Sequence, residues 1–166
     1  LDTPGRTFHP IKIQMPKELM AEYKLMQKEL YIALTKNNEQ VDLEAPGVAA
    51  MLNKLNQITS GFIIDTIAKK ENKLFNENKQ EVYTLSKYRI FKLAELLMSM
   101  PDEQVLIWAN YHKEFDMIKA LLGDKCALVY GAVNIKEKVQ AIKDFKAEKV
   151  QYLVANPASA DKGLTL

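Results

Sequence analysis

Arginine is almost missing from this sequence: of 23 basic residues, only Arg6 and Arg89 carry a guanidinium. The planar fork that clamps phosphate or carboxylate through two bonds is therefore scarce, and chemistry that depends on such clamps needs arginines from elsewhere. Cysteine is scarcer still. Cys126 stands alone, which excludes an internal disulfide, and with His9 and His112 as the only histidines no zinc set can be assembled. A lone cysteine at the head of an apolar run reads as a small buried residue. Charge of one sign is lacking too. The 23 Lys and Arg face 21 Asp and Glu, a net of +2, far from the excess of a protein that coats nucleic acid electrostatically, so any phosphate contact is local. No run approaches the roughly 18–20 apolar residues of a membrane-spanning helix, and the opening LDTPGRTFHP has no signal-peptide core. The sequence thus predicts a cytoplasmic protein without membrane contact. Neither a Gly-x-x-x-x-Gly-Lys-Ser/Thr phosphate loop nor a Gly-x-Gly-x-x-Gly fingerprint occurs, so no primary nucleotide site is expected.

What is present is ordinary for one globular domain: 166 residues, 48% apolar and 27% charged. The chain opens on Leu1 and closes inside the apolar run GLTL, so both ends read as cut from something longer. Frequent Lys and Asn suggest an AT-rich, bacterial or viral source.

Along the chain, Thr7 to Met15 alternates loosely like a short strand. Pro16 then opens a helical spacing of Leu19, Tyr23, Met26, Leu30 and Leu34. After the polar break TKNNEQVDLEAPG, a second helix carries Val48, Met51, Leu52, Leu55 and Ile58 on one face and ends near Gly61, which predicts a helical hairpin. Ala68 to Gln80 is rich in Lys, Glu and Asn and reads as an exposed linker. Ser86 can cap a helix with inner face Ile90, Leu93, Ala94 and Leu97, closed by Pro101.

From Gln104 onward, the uninterrupted apolar runs VLIWA, CALVY and VQYLVA alternate with helical segments carrying Phe115, Ile118 and Leu122, then Val139, Ile142 and Phe145. Continuous apolarity implies strands covered on both faces, and this alternation implies crossover units of a parallel α/β sheet. Asn134 with Glu137 makes a capping box for the last helix. The strand after Val150 reads as an outer, edge strand.

Ligands of open parallel sheets bind beyond the carboxyl ends of the strands. Here the strands run into Asn110, Gly131 and Asn156, residues that tolerate turns and bring donors beside helix N-termini. They are also default turn residues. Asn156, Ser159, Lys162 and Thr165 in the closing segment could donate to phosphate, although a plain sheet-edge loop accounts for them as well. Asp102 and Glu103 precede their strand and read as a solvated turn, and His112 reads as a capping or surface residue.

Four stretches, in order, resemble the second RecA-like lobe of superfamily-two helicases of the Swi/Snf type. VLIWANYHKEF resembles their motif IV, VYGAVNIKEKVQAIKDF the Gly-ended strand and its capped helix, and LVANPASADKGLTL motif V in the form Ala-Ser-Ala-x-x-Gly-Leu-Thr-Leu. Upstream, MLNKLNQITSGF and LSKYRIFKLAELL resemble the helices before that lobe.

The resemblance implies an α/β fold, part of a parallel three-layer RecA-like lobe preceded by a helical hairpin. Residues 1–67 would be the interlobe strand and hairpin, 68–84 an exposed linker and 85–166 the truncated lobe. It implies an ATP-dependent DNA helicase or translocase, an ATP hydrolase, in the full-length protein, with this fragment inactive alone. ATP and Mg would be bound mainly by the N-terminal lobe of the same protein, and double-stranded DNA would be the partner. Asn110, Tyr111, Gly131, Asn156, Ser159 and Lys162 would hold DNA, and Gly163 and Thr165 would lie at the ATP cleft. No catalytic or metal-binding residue is implied in this stretch.

Two departures stand out: Lys138 replaces the family's usual Arg, and Asp161-Lys162 replaces a Gly-containing pair. The motif VI arginines would follow Leu166. Two other readings remain at this stage, a small flavodoxin-like domain binding a phosphorylated ligand and a structural interaction module.

Overall fold

The computed structural model describes residues 5, 7–36, 39–45, 47–65 and 81–160. Helix α1 (Lys17–Glu29) starts directly after Pro16, whose φ of -54° suits a helix entrance, and buries Leu19 and Met26. The apolar spacing through Leu34 predicts a longer helix. Instead Leu30 adopts a left-handed φ of 58° while its N–H still bonds the Met26 carbonyl, and the chain turns into a strand. Strands β1 (Tyr31–Lys36) and β2 (Glu39–Glu44) pair antiparallel from Tyr31↔Glu44 to Lys36↔Glu39, where the sequence suggested a helix end and a polar break. Ile32 and Leu34 fit a period of two, and Tyr31, Ile32 and Thr35 are strand-favouring types, so the helical spacing of Leu34 is coincidental.

Helix α2 (Val48–Thr59) packs against α1 through Leu55 and Ile58. Val48 and Leu52, placed on that face by spacing, are exposed at 67% and 54%. The buried arc is completed by two polar residues, Lys54 and Gln57. The Lys54 ammonium donates to the Ile64 carbonyl, and Gln57 Oε1 accepts from the Ile64 N–H at 2.9 Å. Burial lowers the Lys54 pKa, and the negative charge of Asp65 opposes that shift. These bonds fix β3 (Phe62–Ile64), which pairs antiparallel with β4 (Val82–Thr84). Most of the segment read as a linker, 68–84, lies outside the described residues, but its last three residues form β4. There Tyr83 is buried and its phenol is pushed up to about 12, by burial first and by the adjoining Glu81 carboxylate second.

Thr7–Met15 takes no regular secondary structure. Pro10 cannot donate into a ladder, and Ile11 and Ile13 line a cleft instead of a sheet.

Helix α3 (Tyr88–Met98) turns Ile90, Leu93 and Leu97 inward as predicted, with Ser86 Oγ accepting from the Tyr88 N–H at 3.3 Å. The sheet follows: β5 (Val105–Trp108), α4 (His112–Leu122), a short 3-10 turn (Gly123–Lys125), β6 (Cys126–Val129), α5 (Ile135–Lys146), β7 (Tyr152–Ala155) and a single turn of helix, α6 (Pro157–Ala160). All strands are parallel and in register, with Trp108↔Ala155 and Val129↔Ala155 at the carboxyl end.

Side chains alternate between two faces. Ile107, Cys126, Tyr152 and Val154 join Phe115 and Ile118 of α4 and Leu97 of α3, while Val129, Leu153 and Ala155 join Ala141 and Phe145 of α5. The result is three layers. Val139, placed on the inner face of α5 by spacing, is 46% exposed, and Ala141 takes its place.

The strand order is β5-β7-β6, so the last strand is the central one and all four of its residues are buried. This corrects the expectation of an edge strand after Val150. The chain moves from β5 across to β6 and then returns to β7 between them. α4 and α5 lie on opposite faces, as the right-handed rule for parallel crossovers requires when the chain reverses direction across the sheet. Cys126 is buried at the start of β6, and burial pushes its thiol pKa up, against the smaller pull of Lys119. Asp102 and Glu103 are exposed at the amino end, where the Glu103 carbonyl accepts from Gln151 Nε2.

Candidate functional site

Parallel register brings the three strand exits to one edge of the sheet. Asn156 lies in the middle, with the Asn110 turn and the Gly131 turn on either side, each about one strand spacing of 4.8 Å away. The structure therefore brings together Asn110, Tyr111, Gly131, Asn156 and Ser159. Lys162, Gly163 and Thr165 lie outside the described residues.

Asn156 is committed inward. Its amide nitrogen donates to the carbonyls of Ala109 and Asn110, both at 3.2 Å, and its Oδ1 accepts from the Ala158 N–H at 2.9 Å. The backbone N–H of Asn156 reaches the Val129 carbonyl at 2.9 Å, so one residue ties all three strand exits together. The Asn156→Asp variant retains the acceptor but aims lone pairs at two carbonyls. It should lose about 2 kcal/mol of stability in urea denaturation at neutral pH. A loss below about 0.5 kcal/mol would show that the tie is unimportant.

Tyr111 is also partly spoken for. Its hydroxyl donates to Asn53 Oδ1 at 2.9 Å and its ring stands edge-on to Phe62 with centroids 5.4 Å apart. Burial raises its phenol pKa, with the Glu114 charge adding to the shift. Asn110 and Gly131 are exposed, and a Cβ built at Gly131 meets nothing within 4 Å. Ser159 is half-buried, its N–H bonded to the Asn156 carbonyl at 3.0 Å. His112, the first residue of α4, is exposed and edge-on to Tyr130 at 5.0 Å.

Sequence reasoning missed Glu114. Its Oε2 accepts from the backbone N–H groups of Asn110 at 2.9 Å and Tyr111 at 3.1 Å, so a carboxylate of this chain occupies the N-terminal end of α4, where an external anion would otherwise bind. At the N-terminus of α5 the predicted cap is present, with Asn134 Oδ1 accepting from the Glu137 N–H at 2.9 Å. The three-residue spacing of Tyr111 and Glu114 repeats that of Asn134 and Glu137, but Tyr111 is not a capping type, which hid the signal. Arg89 was also unassigned. Its guanidinium donates to Ser60 Oγ at 2.9 Å and approaches Glu114 Oε1 at 3.7 Å. Both line a cleft of about 270 Å³ with an apolar floor that includes Leu93, Ile107, Met117 and the half-exposed Trp108.

Among the described residues no group of three or more His, Cys, Asp or Glu could hold a metal ion, and the sequence has no phosphate loop. Nor is any helix among the described residues long and apolar enough to cross a membrane.

A parallel sheet with α3 and α4 on one face, α5 on the other and polar turns gathered at its carboxyl edge is a three-layer α/β arrangement, consistent with part of a RecA-like lobe. Residues 88–166 match the family model for the helicase conserved C-terminal domain. A search among curated proteins found no match.

Proposed function

We propose that this chain supplies the C-terminal lobe of an ATP-dependent DNA translocase or helicase of the Swi/Snf type, gripping the phosphate backbone of duplex DNA through its strand-exit turns. The observation that carries the reading is the convergence of Asn110, Gly131 and Asn156 on one edge of a sheet within the segment that matches the helicase domain. With the N-termini of α4 and α5 capped by the chain's own residues, phosphate is met by side chains and not by bare backbone amides. Exposed Asn110, and Lys113 and Lys138 in the first turns of α4 and α5, are the donors. Asn156 acts from behind, holding the turns in place. ATP and Mg are held mainly by the N-terminal lobe of the same protein, whose contact with this one closes the cleft that includes Gly163 and Thr165. A cytoplasmic, bacterial or viral setting fits a DNA motor of this kind.

The test is fluorescence anisotropy with a 20-base-pair duplex of arbitrary sequence. Binding of about 10–100 µM is expected at low salt, with a salt slope of about -2 to -3 and little sequence preference, as befits a few backbone contacts. Asn110→Ala should lower affinity about threefold across sequences. Absence of binding at low salt would overturn the DNA reading. DNA-stimulated ATP hydrolysis by this chain alone would overturn the placement of the nucleotide machinery outside it.

A further inference from the structure

The strand-exit turn of β5 is built around a carboxylate that belongs to no contact surface. Glu114 sits in the first turn of α4, its side chain only 14% exposed, and accepts from the Asn110 and Tyr111 N–H groups at 2.9 and 3.1 Å. On its other side, Arg89 of α3 approaches Glu114 at 3.7 Å while donating to Ser60 Oγ at 2.9 Å, at the end of α2. Two further bonds run the same way: Tyr111 hydroxyl to Asn53, and Tyr88 hydroxyl to the Thr59 carbonyl at 2.6 Å. The turn that presents Asn110 is thus held between α4 and the helical unit formed by α1 and α2.

We infer that Glu114 is a positioning residue for DNA binding: braced by Arg89, it holds the Asn110 and Tyr111 amides so that the Asn110 side chain faces the phosphate backbone. It touches no DNA itself. A bare carboxylate near phosphate would repel it, but here both oxygens are turned inward, Oε2 to two amides and Oε1 towards the guanidinium. The inference rests on the DNA reading above.

The experiment compares the unaltered chain with Glu114→Ala and Glu114→Gln, using duplex affinity, amide hydrogen exchange at Asn110 and Tyr111, and emission of Trp108, the single tryptophan, two residues before Asn110. Glutamine retains a carbonyl that can accept the two N–H groups. Glu114→Ala should exchange the two amides at least about tenfold faster, shift Trp108 emission and weaken DNA binding about tenfold, whereas Glu114→Gln should restore affinity to within about threefold. A merely structural role predicts that the two variants lose stability without separating in affinity once compared well below their unfolding temperatures. Equal affinity of Glu114→Ala and the unaltered chain overturns the inference. So does tighter binding by Glu114→Ala, which would mark the carboxylate as a competitor for phosphate. Failure of the DNA reading looks different: the unaltered chain itself does not bind, while the exchange data still report whether Glu114 orders the turn.

Discussion

Gly61→Ala is expected to destabilise the chain by about 3 kcal/mol, lowering the melting temperature by about 10 °C. Gly61 links α2 to β3 with a φ of 88°, a conformation that L side chains rarely adopt. A Cβ there would lie 3.1 Å from the Ser86 carbonyl carbon and overlap its oxygen. Those are backbone atoms, so no side chain can swing away. The close approach is needed because the Gly61 carbonyl accepts from the Leu85 and Ser86 N–H groups at 2.8 and 2.9 Å, bringing the entrance of α3 against the end of α2. Thermal unfolding followed by far-ultraviolet circular dichroism measures the shift. Gly131→Ala is the control, since a Cβ there meets nothing. If both variants melt together with the unaltered chain, the packing of α2 against the start of α3 is not as described.

Leu153→Ala should have a comparable effect, about 3–4 kcal/mol by urea denaturation. Leu153 is fully buried in the central strand and packs with Val129, Ala141 and Phe145 beneath α5. Truncation removes three carbon atoms from a site walled by the sheet and a helix, which restricts collapse around the cavity. Were β7 at an edge, solvent and side-chain movement would relieve much of that cost. Val139→Ala, on the exposed face of α5, should change stability by less than about 0.5 kcal/mol. A Leu153→Ala loss as small as that would contradict the central placement of β7.

Much of the lobe was legible in the residues. The runs at Val105, Cys126 and Tyr152 are strands because apolar residues on both faces have no other stable arrangement, and helices between them force a parallel sheet. The capping residue Asn134 and the inward faces Ile90, Leu93, Leu97 and Phe115, Ile118 are local properties, set by hydrogen-bonding chemistry and the 3.6-residue period. The candidate turns were found the same way, because strand exits can be counted along the chain. Leu34 misled for the same reason, since one spacing served two periods and only pairing with β2 separated them.

Other features had no local signal. Strand order depends on which neighbour each strand finds, so the central position of β7 was invisible until both crossovers were placed. Val48, Leu52 and Val139 have core-like spacing, but whether a stripe is covered depends on how far the facing element reaches. The donors of Asn156 turn inward only because Ala109 and Asn110 are beside it, 47 and 46 residues away in sequence. Arg89 is tied to Ser60, 29 residues away, and reaches Glu114 by proximity of separate elements, not by a motif. Residue types and their spacing were enough for the helices and strands of the sheet, for its parallel α/β class and for the scarcity of arginine that leaves this stretch without phosphate clamps. The tertiary structure alone decided which polar groups at the strand exits are spent on holding the turns and which face outward, because a hydrogen bond between distant residues exists only once the chain has brought them together.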